Sequence, residues 1–523
     1  MKPGRNCWNI NNVNKTGIIF DGHDYYSAFY QAARLARKTI LISGWQFDSD
    51  VKLLRAGNGD GDISFLDFLK SLCVKNPELR IYILAWDYSF LYSLGRERKQ
   101  KLTFSNAHRN IFFHFDRQHA FAASQHQKFV VIDSAMSFIG GMDICAGRWD
   151  DRRHAAHNPL RVNGRGKEYQ PYHDVQSYHT GPLAERLAEL FCKSWKKSTG
   201  RGLAPSRPAP ALACLKRGRE ALWPLPEGVS IPARRAAISR TQARSLVRWK
   251  KSRKEIRRLY TDAVASAQTL IYIENQYFSS FSVYRALARR MKSAPSKLQI
   301  IIVIPKMDQT LLEKIYAGIA QKRILNSLKR IARRRGHQIG VYYPAAPSSD
   351  GKDVPVFIHS KLMLIDDRFL TVGSANTNNR SMGLDTELNV SWEADDKQDG
   401  TIMRALNKVR TGLLSEHTGL SSPYEIQMLS RTAGLVDFLE SIADKPQGRL
   451  RRHKKHRPFF ISDWLRALKL DRILIDPEKA VIDENILDAA STNRKSVLRR
   501  IINFVKIWRR PEGSLKKRPS KKE

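Results

Sequence analysis

The chain is poor in three things. It has no run of about 18 apolar residues, so no membrane-spanning helix is legible. The stretch Met1 to Asn12 lacks the apolar segment of a cleaved secretory signal, and none is expected. Cysteine is scarce: Cys7, Cys73, Cys145, Cys192 and Cys214 are scattered, odd in number and form no Cys-x-x-Cys pair. A disulfide framework and a thiolate zinc site are therefore excluded, and buried thiols in a reducing compartment are the simplest reading. Acid is the third shortage, with 50 Asp+Glu against 90 Lys+Arg and a formal charge of +40. That imbalance predicts attraction to a polyanion, either nucleic acid or an anionic membrane surface, without choosing between them. What is present argues for folded domains. The 523 residues are 42% hydrophobic and 9% aromatic, enough to exclude wholesale disorder.

An internal repeat organises the sequence. Lys38 to Phe47 (KTILISGWQF) resembles Gln268 to Phe278 (QTLIYIENQYF), each preceded by a helical pattern. Apolar runs follow in both halves, Leu79 to Trp86 (LRIYILAW) and Leu298 to Pro305 (LQIIIVIP), and a third pair is Asn110 to Phe115 with Gln338 to Tyr343. The sharpest pair is His126 to Asp133 (HQKFVVID) with His359 to Asp366 (HSKLMLID). Strands alternating with helices predict a duplicated α/β architecture. The expected units are 1–199 and 229–420, a Pro-rich linker over 200–228, and a basic extension over 421–523 with a disordered tail. Arg234 to Arg258, dense in basic residues, is expected to be a solvated helical face that could touch lipid headgroups or nucleic acid.

Both copies read H-x-K-x4-D, then six residues and a small pair, Gly140-Gly141 or Gly373-Ser374. Strand parity puts His126 beside Lys128 and His359 beside Lys361 on one face. Asp133 and Asp366 have the opposite parity and suit structural hydrogen bonding better than direct chemistry. Asn376 and Asp143 occupy equivalent places, seventeen residues beyond each histidine. A single histidine on an apolar strand is usually structural. Two strands with the same spacing argue otherwise, because packing does not require a buried ammonium in each, and an anion bound between them would offset that cost.

On these residues the chain resembles the phospholipase D superfamily, whose signature is two HKD motifs in one chain. Ile273 to Phe278 (IENQYF), Gly140 to Asp151 (GGMDICAGRWDD), Tyr172-His-Asp-Val175 and Gly373 to Met382 are similar to segments of its phosphatidylcholine-type members. The resemblance implies two similar α/β domains of mixed sheets flanked by helices, with the active site at their interface. It implies the catalytic set His126, Lys128, Asp133, His359, Lys361 and Asp366, with Ser374 and Asn376 binding substrate.

The chemistry matches those residue types. Two lysines, with hydroxyl and amide donors, neutralise the anionic oxygens that shield a phosphodiester. One neutral imidazole can then attack phosphorus while the other, protonated, donates to the departing alcohol. The resemblance makes His126 the nucleophile and His359 the acid/base; the sequence itself is symmetric. It also implies one orienting acid per histidine, for which Asp151 and Glu387 are the candidates. Their other reading is surface ion pairing. Asp143 would repel a phosphate and is not expected to contact it. No metal and no cofactor is required. Trp45, Trp86 and Trp149 read as core rather than as a cage for a quaternary ammonium.

The resemblance implies hydrolysis of glycerophospholipids such as phosphatidylcholine to phosphatidic acid, with possible transfer to another alcohol. The alternatives are a cardiolipin synthase-like phosphatidyltransferase, a nuclease of the superfamily, and an inactive basic protein that binds membrane or nucleic acid. The expected partner is a phospholipid membrane surface, rich in anionic lipid, with no obligatory nucleic acid. One chain holds both motifs, so a monomer is sufficient. A cytoplasmic or peripheral membrane location is the expectation, and a bacterial effector exported without a cleaved signal is the alternative.

Overall fold

The computed structural model describes residues 1–55, 63–87, 100–116, 123–207, 228–243, 252–306, 311–348, 351–394 and 400–453. Most of the Pro-rich stretch and everything beyond His453, including the amphipathic candidates of the tail, lie outside the described residues.

The strands of the first half are β1 (Asn9–Asn12), β2 (Thr16–Phe20), β3 (Thr39–Gly44), β4 (Arg80–Trp86), β5 (Ile111–Asp116), β6 (Phe129–Ile132), β7 (Met136–Gly140), β8 (Tyr172–His173) and β9 (Val175–Thr180). After the Pro-rich stretch come β10 (Val229–Ser230), β11 (Arg235–Gln242), β12 (Arg253–Lys254), β13 (Leu270–Asn275), β14 (Gln299–Val303) and β15 (Gln338–Ala346). The last are β16 (Val354–Pro355), β17 (Phe357–Ile358), β18 (Lys361–Ile365), β19 (Phe369–Gly373), β20 (Glu387–Glu393) and β21 (Leu450–Arg452).

Two sheets carry the same plan. One runs β10-β2-β9-β7-β6-β3-β4-β5, and the other runs β1-β11-β20-β19-β18-β13-β14-β15-β16. In each, three strands are parallel (β3, β4, β5 and β13, β14, β15) while the HKD strand pairs antiparallel with its neighbours. The expected duplicated α/β fold of mixed sheets is the fold observed. Register aligns the halves residue by residue: Ser43 faces Phe129 as Glu274 faces Leu362.

The apolar runs are continuous because both faces of each sheet are covered. Phe129 and Val131 point into a core shared with Leu362, Leu364, Val372 and Val390 of the second sheet. Val130 and Ile132 point the other way, against the helices Asp21–Arg34 and Phe65–Lys75. Met363 and Ile365 likewise pack outward, under the helices Glu255–Ser266 and Phe281–Ser293. The two sheets thus meet face to face, and the entrances of both HKD strands lie where they meet.

Three features add to the sequence expectation or depart from it. Strand β1 joins the second sheet and β10 the first, so each half lends the other an edge strand. Arg235–Gln242 is a strand rather than a helical face, held between β1 and β20; residues 244–251 lie outside the described residues. Beyond 420 the chain continues to fold. Leu429, Leu435, Val436 and Leu439 join the central core, and β21 pairs with β15.

Candidate active site

The approach to each HKD strand is pinned by the opposite half. His126 donates its backbone N–H to Thr386 O at 2.9 Å, and Thr386 N–H donates to Ser124 O at 2.8 Å. The second copy does the same: β17 pairs with β8, and His359 N–H donates to His173 O at 2.8 Å. The residue after each carbonyl is an acid aimed at that same histidine. His126 Nδ1 lies 3.0 Å from Glu387 Oε2, and His359 Nδ1 lies 2.6 Å from Asp174 Oδ2. A carboxylate on Nδ1 fixes the tautomer and leaves Nε2 for reaction.

Glu387 therefore stands where an orienting acid is needed, and Asp151 does not. Asp151 pairs with Arg153 at 2.8 Å and accepts from Asn158. Asp174 takes the place expected of it. Register shows the equivalence, since Gly140 faces Gln176 as Gly373 faces Asn389. Asp174 lies within Tyr172-His-Asp-Val175, a segment the resemblance includes without giving the aspartate a role. Glu387 follows Ser374 by 13 residues but Asp174 follows Gly141 by 33, so spacing alone favoured the nearer Asp151.

The motif aspartates are structural, and so stand outside the catalytic set. Asp133 accepts the backbone N–H of Arg37, Lys38 and Thr39 at 2.6–2.8 Å. Asp366 does the same for Gln268, Thr269 and Leu270. Both sit at positive φ (49° and 53°), followed by a second left-handed residue, a costly turn that these three hydrogen bonds hold.

Ser374 also changes role. Its hydroxyl donates to Glu387 Oε2 at 2.5 Å and accepts from Leu388 N–H, so it positions the acid rather than the substrate. Its counterpart is Gly141, where a Cβ would come within 2.3 Å of Asp174 Oδ1. Asn376 is buried, with its Oδ1 making no hydrogen bond. Asp143 pairs with Lys128 Nζ at 3.0 Å.

The lysines differ in their surroundings. Lys128 lies over the ring of half-buried Trp45, which also meets His126 edge-on with centroids 4.9 Å apart. Trp45 thus lines the site instead of filling the core, whereas Trp149 is core. Lys361, fully buried, donates to His359 O and approaches Gln276 Oε1 at 3.5 Å. Tyr172 packs tilted against His359, with ring centroids 5.4 Å apart, and Arg148 lies over the Tyr172 ring at 4.9 Å, adding a cation that the motifs alone did not mark.

Burial sets the protonation states. Desolvation first, then Lys128 and Lys361 at His126 and Lys361, Arg148 and Lys128 at His359, hold both histidines well below the usual imidazole value. Desolvation brings Lys361 down to about 7, opposed by Asp174. Burial likewise lifts Glu387 to about 7, opposed by the Ser374 hydrogen bond. The site is a buried cradle of lysines and carboxylates around two neutral imidazoles.

The family described as "Phospholipase D" matches residues 32–318, and "Cardiolipin synthase, PLD-like domain" matches residues 260–408. Phospholipase D A of Dictyostelium discoideum is 24% identical over 475 residues, covering 77% of this chain and 35% of its own. Phospholipase D alpha 1 of Zea mays is 24% identical over 493 residues, covering 70% of this chain and 59% of its own. The chain thus spans about a third to three fifths of the length of these curated relatives. The crystal structure of phosphatidylserine synthase from Haemophilus influenzae Rd KW20 aligns over 83% of this chain and 94% of its own, with TM-score 0.53 and 14% identity, a likeness of fold. With a family match over more than half its residues and both HKD strands meeting across a duplicated sheet, this chain belongs to the phospholipase D superfamily.

Proposed function

We propose that the chain is a phospholipase D, cleaving a glycerophospholipid to phosphatidic acid and the free headgroup alcohol. The observation that carries this reading is the crossed pairing: each motif histidine is held through Nδ1 by a carboxylate of the other half. In the first step His126 Nε2 attacks phosphorus and the P–O bond to the headgroup breaks, while His359 gives its proton to the leaving oxygen. In the second, His359 takes a proton from water, and the water oxygen displaces His126. An alcohol in place of water gives a transferred phosphatidyl group by the same step.

Burial and the nearby cations keep both imidazoles neutral, so the acid must gain its proton on binding. A phosphodiester anion between Lys128, Lys361 and Asn376 offsets the field that depresses His359 and restores the ammonium of Lys361. Substrate thereby charges its own acid. The lipid reading draws on the curated relatives, which are named phospholipases D. The basic excess then serves to hold the enzyme on an anionic membrane, each basic residue near the surface contributing up to about 1 kcal/mol. Among the described residues no helix is long and apolar enough to cross a membrane.

The test is headgroup release from mixed micelles over a panel of diacyl phospholipids, with ethanol as a second acceptor. Release of choline or ethanolamine together with phosphatidylethanol is the expected result. Inertness towards every lipid, alongside cleavage of DNA, would instead identify a nuclease.

A further inference from the structure

Each half of the chain brings one lysine from its motif and one arginine from just beyond it. In the first half these are Lys128 and Arg148; in the second they are Lys361 and Arg380. The arginines follow the first glycine of the small pair, Gly140 or Gly373, by eight and seven residues. Acid neutralises one cation in each half, and not the same one. Lys128 is paired with Asp143 at 3.0 Å, whereas Arg380 is held by both oxygens of Asp385 at 2.8 and 3.1 Å. Among the described residues no carboxylate forms an ion pair with Lys361 or with Arg148. From this exchange we propose that Arg148 is the free cation of the first half and binds a non-bridging oxygen of the substrate's phosphoryl group beside His359. Arg148 and Lys361 then face the phosphoryl group together, one charge from each half. The assignment rests on the phosphoryl-transfer reading of the cradle, but not on the lipid.

Position is the first support. The Arg148 guanidinium lies 4.9 Å from the centroid of the Tyr172 ring, and that ring meets the His359 ring at 5.4 Å. After burial and Lys361, Arg148 is the next cause that lowers His359, ahead of Lys128, so its charge reaches the acid/base. The backbone behind it is fixed. Gly147 takes a left-handed φ of 75°, and a Cβ on Gly22 would come within 2.6 Å of Arg148 O. The helix Asp21–Arg34 thus begins against this turn, and His23 N–H donates to Asp150 O at 2.9 Å to close the contact. A turn already held spends no binding energy on ordering its own backbone.

Unmet hydrogen bonding is the second support. The Tyr172 hydroxyl makes no hydrogen bond although the residue is only 2% exposed. Burial pushes its phenol well above the usual value, so the group stays protonated and offers a donor. The polar side chain that Arg148 meets is the Cys145 thiol, a weak acceptor. A half-buried guanidinium with five N–H donors and no carboxylate is costly until an anion joins it. Arginine also suits the task. Its planar fork holds two phosphoryl oxygens at once, and it keeps its charge where Lys361, titrating at about 7, has lost its own.

The test is calorimetric binding of inorganic tungstate, a phosphate analogue, to the full-length chain, with turnover of bis(4-nitrophenyl) phosphate as the second readout. Arg148→Gln keeps much of the stem over Tyr172 and removes the charge. It should weaken tungstate binding at least about tenfold, the scale of a lost charge-assisted hydrogen bond, and lower kcat/KM about 10²-fold or more. Guanidinium added at millimolar concentration should restore turnover to Arg148→Ala and not to Lys361→Ala. Circular dichroism and the melting temperature check that each variant folds. A folded Arg148→Gln chain with native tungstate affinity overturns the proposal. Lost turnover with that affinity intact does so too, because it marks an arginine that only packs on Tyr172. A native chain that binds no millimolar tungstate overturns it as well. Where Arg148→Gln does not fold, Arg148→Lys decides: loss of the fork should weaken tungstate at least about threefold, and unchanged affinity counts against the assignment. A chain inert towards every lipid, yet binding tungstate through Arg148, would refute the phospholipase reading and leave this assignment standing.

Discussion

The two HKD strands share a sequence pattern and a register, yet they bury their lysines in different company. Lys128 is ion-paired to Asp143 and lies over Trp45. Lys361 meets Gln276, the register equivalent of Trp45, and the place of Asp143 is taken by neutral Asn376. One ammonium is already neutralised; the other is desolvated until it titrates at about 7. Duplication supplied two equivalent cradles, and single residues made them unequal. In this account the second motif carries the unpaired charge that a phosphate anion satisfies, and the first carries the nucleophile.

Removing the two lysines separately tests that inequality first. Lys361→Ala is expected to lower kcat/KM by about 10³-fold or more, the scale of a lost transition-state donor. Lys128→Ala should cost about tenfold less, because its charge is shared with Asp143. Equal losses would erase the distinction.

The acids come next. Glu387→Gln and Asp174→Asn should each lower kcat about 10²–10³-fold with KM changed only a few-fold, since a carboxylate on Nδ1 sets tautomer and orientation rather than affinity. Asp151→Asn should stay within about twofold, as Asp151 pairs with Arg153 away from either histidine.

Exchanging the unequal residues is a milder test. Asn376→Asp gives Lys361 a carboxylate partner and should reduce kcat/KM about 10²-fold, whereas Asp143→Asn should remain within about tenfold. The pH profile on a soluble short-chain substrate is the finest. The Lys361 cation is lost as pH rises through about 7, and the Glu387 carboxylate is lost as pH falls through about 7. The kcat/KM curve should therefore be a narrow bell near neutrality, and Lys361→Arg should flatten its alkaline side.

Much of this was legible in the sequence. Parity along HQKFVVID and HSKLMLID separated the histidine and lysine from the aspartate, and continuous apolar runs marked strands covered on both faces. What escaped notice has physical causes. The additional 20 residues between Gly141 and Asp174 broke the spacing that would have matched Asp174 to Glu387. In Arg235–Gln242 the basic side chains hid a strand whose stability comes from β1 and β20, partners distant in sequence. Ser374 reads as a phosphate donor until Glu387 is seen to occupy its hydroxyl.

The most direct test is to trap the covalent intermediate. His359→Asn keeps the nucleophile and removes the group that releases it, so a phosphodiester with a good leaving group should leave a phosphoryl adduct. Peptide mass spectrometry is expected to find that adduct on His126. An adduct on a different residue, or none under conditions where the leaving group is released, would contradict the division of roles between the two motifs.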